Sequence, residues 1–179
     1  MADINTSSAK TAQKAAKARS VTLSDMDDSE RSALELMELL FFAYRDFISD
    51  PDQILEQYGF GRAHHRVMHF VLRNPGIRVA ELLDILKITK QSLGRVLKQL
   101  IDEEFIYQRE GTSDRRQRLL YVTDKGRTLA LSLAAPQIAR VRAALERSGP
   151  DVEENLKSTL LKLVNSAERD QVRRWTGSR

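Results

Sequence analysis

Apolar side chains recur along this chain with two different periods, and the change of period marks its elements. Leu34, Leu36, Met37, Leu39, Leu40, Phe41, Phe42, Tyr44 and Phe47 crowd the segment that opens at Ser29-Glu30-Arg31-Ser32. They predict a helix over about residues 30–48, apolar around much of its circumference. Such a helix must be covered on several sides. Asp50-Pro51 ends or kinks it. Gly59-Phe60-Gly61 predicts a turn, and Arg62–Arg73 a second helix stopped by Asn74-Pro75-Gly76. Ile77 offers a one-residue sheet contact. Val79, Leu82, Leu83 and Leu86 lie at helical spacing, Lys87-Ile88 turns the chain, and Thr89 N-caps a helix running to about Glu103. The period then switches: Phe105–Glu110 and Gln117–Val122 read as strands joined by a Gly111–Arg116 turn. Thr123 caps a long helix, about Asp124–Arg147, which Pro136 should kink. Ser148-Gly149-Pro150 breaks it, and a last amphipathic helix covers about Asp151–Arg173.

The helix after Thr89 carries the first chemical signal. At about 100° per residue, Leu93, Val96, Leu97 and Leu100 cluster as core, while Gln91, Arg95 and Lys98 fall opposite. Ser92, Gly94 and Gln99 flank them. Gln can bond an adenine edge and Arg a guanine edge, both bidentately. Thr89, Lys90, Ser92 and Lys98 are types that more often hold phosphates. Gly94 lets the backbone come close to a groove. Alone, such a face is usually just solvated. The hairpin behind it changes the balance: Arg109, Arg115, Arg116 and Arg118 fall within ten residues around one turn. Arg suits a narrow minor groove and grips phosphate with a planar fork. Asp114 has a structural task there, tying an Arg side chain or a backbone N–H and so aiming the tip. Short helix, polar-faced helix and basic hairpin together compose a winged helix-turn-helix. Its second helix can enter a major groove while the wing reaches flanking DNA.

Composition narrows the classes. The 179 residues suffice for one domain of ordinary size, and 41% hydrophobic content supports a buried core. Lys+Arg exceed Asp+Glu by 29 to 25, for a net charge of +4, and the pI is about 9.5. That excess is modest, and its placement in the wing and the N-terminal tail matters more. With no Cys, disulfides and thiolate metal sites are excluded. No apolar run approaches the roughly 18 residues of a membrane span. The Ala-, Lys- and Ser-rich start has no apolar block, so a cytoplasmic protein is expected. Residues 1–28, with Lys10, Lys14, Lys17 and Arg19, read as a flexible arm, either a solvated tail or a phosphate contact. The remaining chain is expected to divide into residues 29–60, an N-terminal helix of a dimerisation region, residues 61–123, the winged domain, and residues 124–179, C-terminal dimerisation helices. The fold class is mostly α (α+β), with a two-stranded wing. A symmetric dimer would bury the apolar helices at both ends.

From about Gly61 to Gly126 the chain resembles the MarR family of bacterial winged-helix regulators. Asn74-Pro75-Gly76, Ala80-Glu81-Leu82, the Thr89–Leu100 helix, Asp114-Arg115-Arg116 and Val122-Thr123-Asp124-Lys125-Gly126 carry the likeness. The flanking helices extend it to about residues 30–173. Gly61-Arg-Ala-His-His-Arg-Val and Ile88-Thr-Lys-Gln-Ser-Leu resemble the PetP-type branch. The resemblance implies a homodimer on a pseudo-palindromic operator, with repression relieved by a small molecule. It assigns base reading to Gln91, Ser92 and Arg95 and the wing contact to Arg116. One departure is Glu104, where the family usually places Gly. A left-handed Glu there would cost on the order of 1 kcal/mol.

His64, His65 and His69 lie close together, and the last two share a helix face. Two His are too few for zinc, which normally takes at least three protein ligands, so no metal and no cofactor are expected. Packed, hydrogen-bonded rings are the commoner outcome. The resemblance implies an organic effector instead. Phe42, Tyr44, His65, Met68 and His69 are candidates for its pocket, against the plainer reading of aromatic and Met core. No phosphate loop, nucleophile motif or paired metal ligands support an enzyme. A winged-helix module that binds another protein is the alternative, with the polar Gln91/Arg95/Lys98 face counting against it.

Overall fold

The computed structural model describes residues 23–111, 114 and 116–177. The chain divides into two compact units, Met1–Ala43 and Tyr44–Arg179. The arm lysines, Arg19 and Arg115 lie outside the described residues.

Helix α1 (Asp28–Ser49) begins two residues ahead of its predicted start. Asp27 and Glu30 cap it reciprocally: the Glu30 N–H donates to Asp27 Oδ1 at 2.8 Å and the Asp27 N–H to Glu30 Oε2 at 3.0 Å. This is a capping box with Asp in the Ser/Thr position. In the first unit Leu36, Met37, Leu39, Leu40, Phe41 and Phe42 are all exposed, and no residue of α1 is buried.

In the second unit buried Pro51 starts a short helix, α2 (Asp52–Glu56), for which the apolar pattern gave no sign. Its carbonyl accepts from the Ile54 and Leu55 N–H groups at 3.1 and 3.0 Å. A proline's missing N–H has no intrahelical partner to lose at that position. Helix α3 (Arg62–Arg73) buries Val67, Met68 and Val71. Strand β1 (Ile77–Arg78) leads to α4 (Val79–Leu86), Lys87 turns left-handed at φ 51°, and α5 (Lys90–Asp102) follows. Strands β2 (Ile106–Glu110) and β3 (Arg118–Val122) pair antiparallel, Glu110 opposite Arg118 and Ile106 opposite Val122. The two-stranded wing is as expected, and the one-residue sheet contact expected at Ile77 is two residues long. Ile77 and Arg78 pair with Leu120 and Leu119, giving the order β1-β3-β2. The Asn74-Pro75-Gly76 turn makes this possible, because the Gly76 N–H donates to the Leu120 carbonyl at 2.9 Å.

Helix α6 (Asp124–Glu146) is helical on both sides of Pro136. The single last helix predicted over about Asp151–Arg173 is two: α7 (Val152–Leu163) and α8 (Arg169–Thr176). Val164 and Asn165 leave helical backbone, with ψ of 142° and 132°. Arg169 stabilises that break by donating to the Val164 and Lys162 carbonyls at 3.0 and 2.7 Å, which α7 leaves without helical partners. The core of this unit gathers Leu55, Val67, Met68, Leu82, Leu93, Leu100, Phe105, Ile106, Leu120 and Leu133, each no more than 1% exposed.

Candidate nucleic-acid interface

Helix α5 is anchored on one side and open on the other. Leu93 and Leu100 are fully buried, with Val96 and Leu97 beside them. Lys90, Gln91, Ser92, Gly94, Arg95 and Lys98 are exposed. Thr89 starts the helix: its Oγ1 accepts from the Ser92 N–H at 3.1 Å and donates to Ser92 Oγ at 2.9 Å. These two hydroxyls therefore hold the helix end as well as facing solvent. Lys98 is paired with Asp102. Lys90, Gln91 and Arg95 have no ion pair or side-chain hydrogen bond among the described residues, so the open row runs along the first turn and a half. Gln99, on the flank, is committed elsewhere. Its Oε1 meets His64 Nε2 at 2.9 Å and its Nε2 donates to Glu103 at 3.0 Å. A Cβ at Gly94 would touch nothing within 4 Å, so that glycine meets no steric demand from the chain itself.

The joint between α5 and the wing explains the Val-Thr-x-x-Gly motif. Glu104 takes the left-handed conformation at φ 60° that the missing glycine would have made easier. Its carbonyl accepts from Thr123 Oγ1 at 2.7 Å. The same hydroxyl accepts from the Gly126 N–H at 2.9 Å, capping α6. A Cβ at Gly126 would lie 1.9 Å from the Phe105 carbonyl oxygen, so only glycine fits where the start of α6 meets the backbone just ahead of β2. Lys125 braces the joint from outside, donating to the Glu103 carbonyl at 2.8 Å with its ammonium 4.1 Å from the Phe105 ring centroid.

At the wing tip Asp114 accepts from the Arg116 backbone N–H at 2.9 Å, and its own carbonyl accepts from the Gln117 N–H at 3.0 Å. A Cβ on Gly111 would sit 2.7 Å from that carbonyl oxygen, so the tip closes only over glycine. Arg116 is exposed and makes no ion pair among the described residues. Arg118 is different: it bridges Glu110 across the ladder at 2.8 Å. Pattern reading missed a feature of the outer sheet face, where Tyr107 and Tyr121 stack at 5.4 Å beneath Arg109. Two tyrosines on facing strands were its available signal.

The histidines separate into two roles. His64 is structural: Nδ1 accepts from the Gly61 N–H at 3.1 Å, and the ring stacks on Phe60 at 4.7 Å. With Nδ1 an acceptor, Nε2 is the protonated nitrogen facing Gln99. His65 and His69 line a cavity of about 200 Å³ with Tyr44, Phe47, Ile48, Arg62, Arg66, Phe70 and Gln137. Burial first, then His69, lowers the pKa of His65 to about 4, with Asp52 opposing. His69 is lowered as well, by desolvation of its ring and then by Arg73, although the residue as a whole stays exposed. Of the predicted pocket residues, Tyr44, His65 and His69 come together here. Met68 is instead fully buried in the core, and Phe42 belongs to the first unit. Among the described residues no group of three or more His, Asp or Glu is placed to hold a metal ion. No helix among them is long and apolar enough to cross a membrane.

Comparison with known proteins agrees with this geometry. Residues 58–117 match the MarR family. The chain is 43% identical over 143 residues to the HTH-type transcriptional regulator PetP of Rhodobacter capsulatus, covering 80% of this chain and 84% of that protein. A putative MarR family regulator from Listeria monocytogenes, solved in complex with a 26mer DNA, is similar in fold. Its TM-score is 0.60 at 21% identity, over 78% of this chain and 91% of that one. A mutant of MepR from a multidrug-resistant S. aureus isolate gives 0.61 at 18%, over 74% and 96%. The chain belongs to the MarR family: it is a winged-helix transcriptional regulator and not an enzyme.

Proposed function

We propose that this regulator binds a pseudo-palindromic operator in double-stranded DNA as a homodimer and represses until a small organic effector displaces it. The observation that carries the DNA reading is the open row of Lys90, Gln91 and Arg95. It stands on a helix whose opposite side is locked by fully buried leucines. A rigid helix presenting unpaired donors is what major-groove reading requires. In this reading Gln91 and Arg95 read bases. Thr89, Lys90 and Ser92 hold phosphates, Lys98 being already paired with Asp102, and Arg115 and Arg116 extend the contact from a wing aimed by Asp114. The dimer reading rests on apolar residues left in the open: Leu40 and Phe41 on α1, Ile138 on α6, and Leu160 and Leu163 on α7. The effector reading rests on the cavity at His65 and His69, whose aromatic wall suits a small planar molecule. A cytoplasmic site of action goes with all three.

Titrating duplex affinity against salt tests the DNA reading. A steep negative slope on random duplex is expected, with tighter binding to a sequence selected from a random pool. A flat salt dependence with no selectable sequence would overturn it and favour a protein-binding module.

A further inference from the structure

The three-stranded sheet has an inner and an outer face. Ile77, Ile106 and Leu120 are buried on the inner one. Alternation along the strands places Tyr107, Arg109, Leu119 and Tyr121 on the outer one, with Tyr107 opposite Tyr121 and Arg109 opposite Leu119. The tyrosine rings stack at 5.4 Å with an interplanar angle of 17°. The guanidinium carbon of Arg109 lies 5.2 Å from one ring centroid and 5.3 Å from the other. Tyr121 is backed in turn by the Asn74-Pro75-Gly76 turn, where a Cβ on Gly76 would come within 3.0 Å of the phenol oxygen. Arg109 is exposed and has no ion pair or hydrogen-bond acceptor among the described residues. Its head group is therefore held by rings while its N–H donors remain unmatched.

Arg118 makes the contrast. It is bonded to Glu110, the residue directly opposite on β2, at 2.8 Å. Together the two carry no net charge toward a polyanion. We infer that Arg109, clamped on the Tyr107–Tyr121 pair, is the wing's strand-borne phosphate contact, and that Arg118 is not. The inference rests on the DNA-binding reading above. A cation–π clamp acts on the guanidinium face and leaves its edges free. Those edges match a phosphate's oxygens. Pre-orienting the fork lowers the rotamer entropy lost on binding. Arg109 also stands two residues before Gly111, where the hairpin turns toward Arg116, so both cations sit at the same end of the wing.

The test uses the full chain on a long random duplex over a range of salt. Arg109→Ala should lower the magnitude of the log–log salt slope by about 1.8 units, about 0.9 for one phosphate at each of the dimer's two wings. Affinity should fall roughly five- to tenfold at moderate salt. Arg118→Ala should change the slope by less than half as much. Arg109→Lys should keep the slope and lose part of the affinity, because the charge stays and the stacked fork goes. Tyr107→Leu should do the same if the rings act by positioning, with a thermal melt confirming that it folds. An Arg109→Ala protein with wild-type slope and affinity would overturn the inference and leave the face to a protein partner. A larger slope change in Arg118→Ala would overturn it too. A wild-type protein with no salt dependence would instead sink the DNA reading itself, so the two failures are distinguishable.

Discussion

Helices α5 and α1 are both rich in leucine, yet they end in opposite states. α5 buries Leu93, Val96, Leu97 and Leu100, while α1, over 22 residues, buries nothing. Leu36, Met37, Leu39, Leu40, Phe41 and Phe42 on α1 stay between 44% and 64% exposed. Hydrophobicity alone does not separate them, but its arrangement does. On α5 the apolar residues form one stripe that a single core can cover. On α1 they surround the helix, and no single face-to-face packing buries them all. Helix α7 behaves like α1 within the second unit, leaving Leu156, Leu160 and Leu163 at 43%, 46% and 66% exposure. One class of helix is finished by its own chain, and the other leaves its apolar residues open. The predictions below press on that division, starting from the interior.

Gly126→Ala should give the largest effect. The new methyl would meet the Phe105 carbonyl oxygen at 1.9 Å, and backbone cannot yield as a flexible side chain can. A loss of about 3 kcal/mol is expected, read as a lower urea midpoint at unchanged slope. A wild-type midpoint would mean that α6 does not press on the wing joint as described. Next comes His65, the one buried polar or charged residue among the described residues, at 8% exposure. Its folded pKa, about 4, lies below the ordinary 6.5. The native state thus refuses a proton that the unfolded chain accepts. Stability should fall as pH drops below about 6.5 and level off near 4, by on the order of 2 to 3 kcal/mol. His65→Gln should flatten that window, and a slope unchanged by the substitution would remove His65 as its cause.

On the open side, Leu160→Glu should cost association about 2 kcal/mol per subunit, because a symmetric interface would bury the charge twice. Sedimentation is expected to show twice 20.4 kDa for the wild type and a shift toward 20.4 kDa for the variant. The melting of the winged core should change little in comparison with Gly126→Ala. If Leu160→Glu unfolds the core instead, α7 is part of the interior and the division fails.

The same division decides what pattern reading recovers. The ends of α3 and α4 match the expected ones, and α5 falls within one residue. Thr89, the Leu93/Leu100 stripe and Asn74-Pro75-Gly76 all act locally, and local signals survive folding. The break at Val164-Asn165 was not legible, because no Gly or Pro marks it and the carbonyls are satisfied by Arg169, several residues further on. Gly126 could be read as a motif position, but its reason is a contact with Phe105, 21 positions earlier. Arg118 and Arg109 were indistinguishable as charges. Cross-strand neighbours, Glu110 for one and two tyrosines for the other, set them apart, and those depend on register.

Arg95→Ala moves from architecture to recognition. Arg95 is exposed, points away from the leucine stripe and has no ion pair among the described residues. Losing a bidentate base contact should weaken operator binding by about 1–3 kcal/mol while leaving random duplex nearly untouched. Equal losses on both duplexes would mean that it touches only phosphate.

The smallest expected effect is at Arg116. Its backbone N–H is fixed by Asp114 at 2.9 Å, so the tip is aimed although the side chain is free. Arg116→Ala should reduce affinity for every duplex by about 1 kcal/mol and lower the salt slope by roughly one unit per wing, about two for the dimer. Folding should barely respond, because an exposed tip buries little. In the proposed dimer the two wings would lie outside the two α5 helices, over flanking DNA. The loss should therefore appear on a long duplex and shrink on one trimmed to the central half-sites. Asp114→Ala offers the matching control. It keeps the cation but frees the tip, so affinity should fall with the salt slope held. Equal behaviour of Arg116→Ala and wild type on both duplexes would show that the wing tip does not meet DNA.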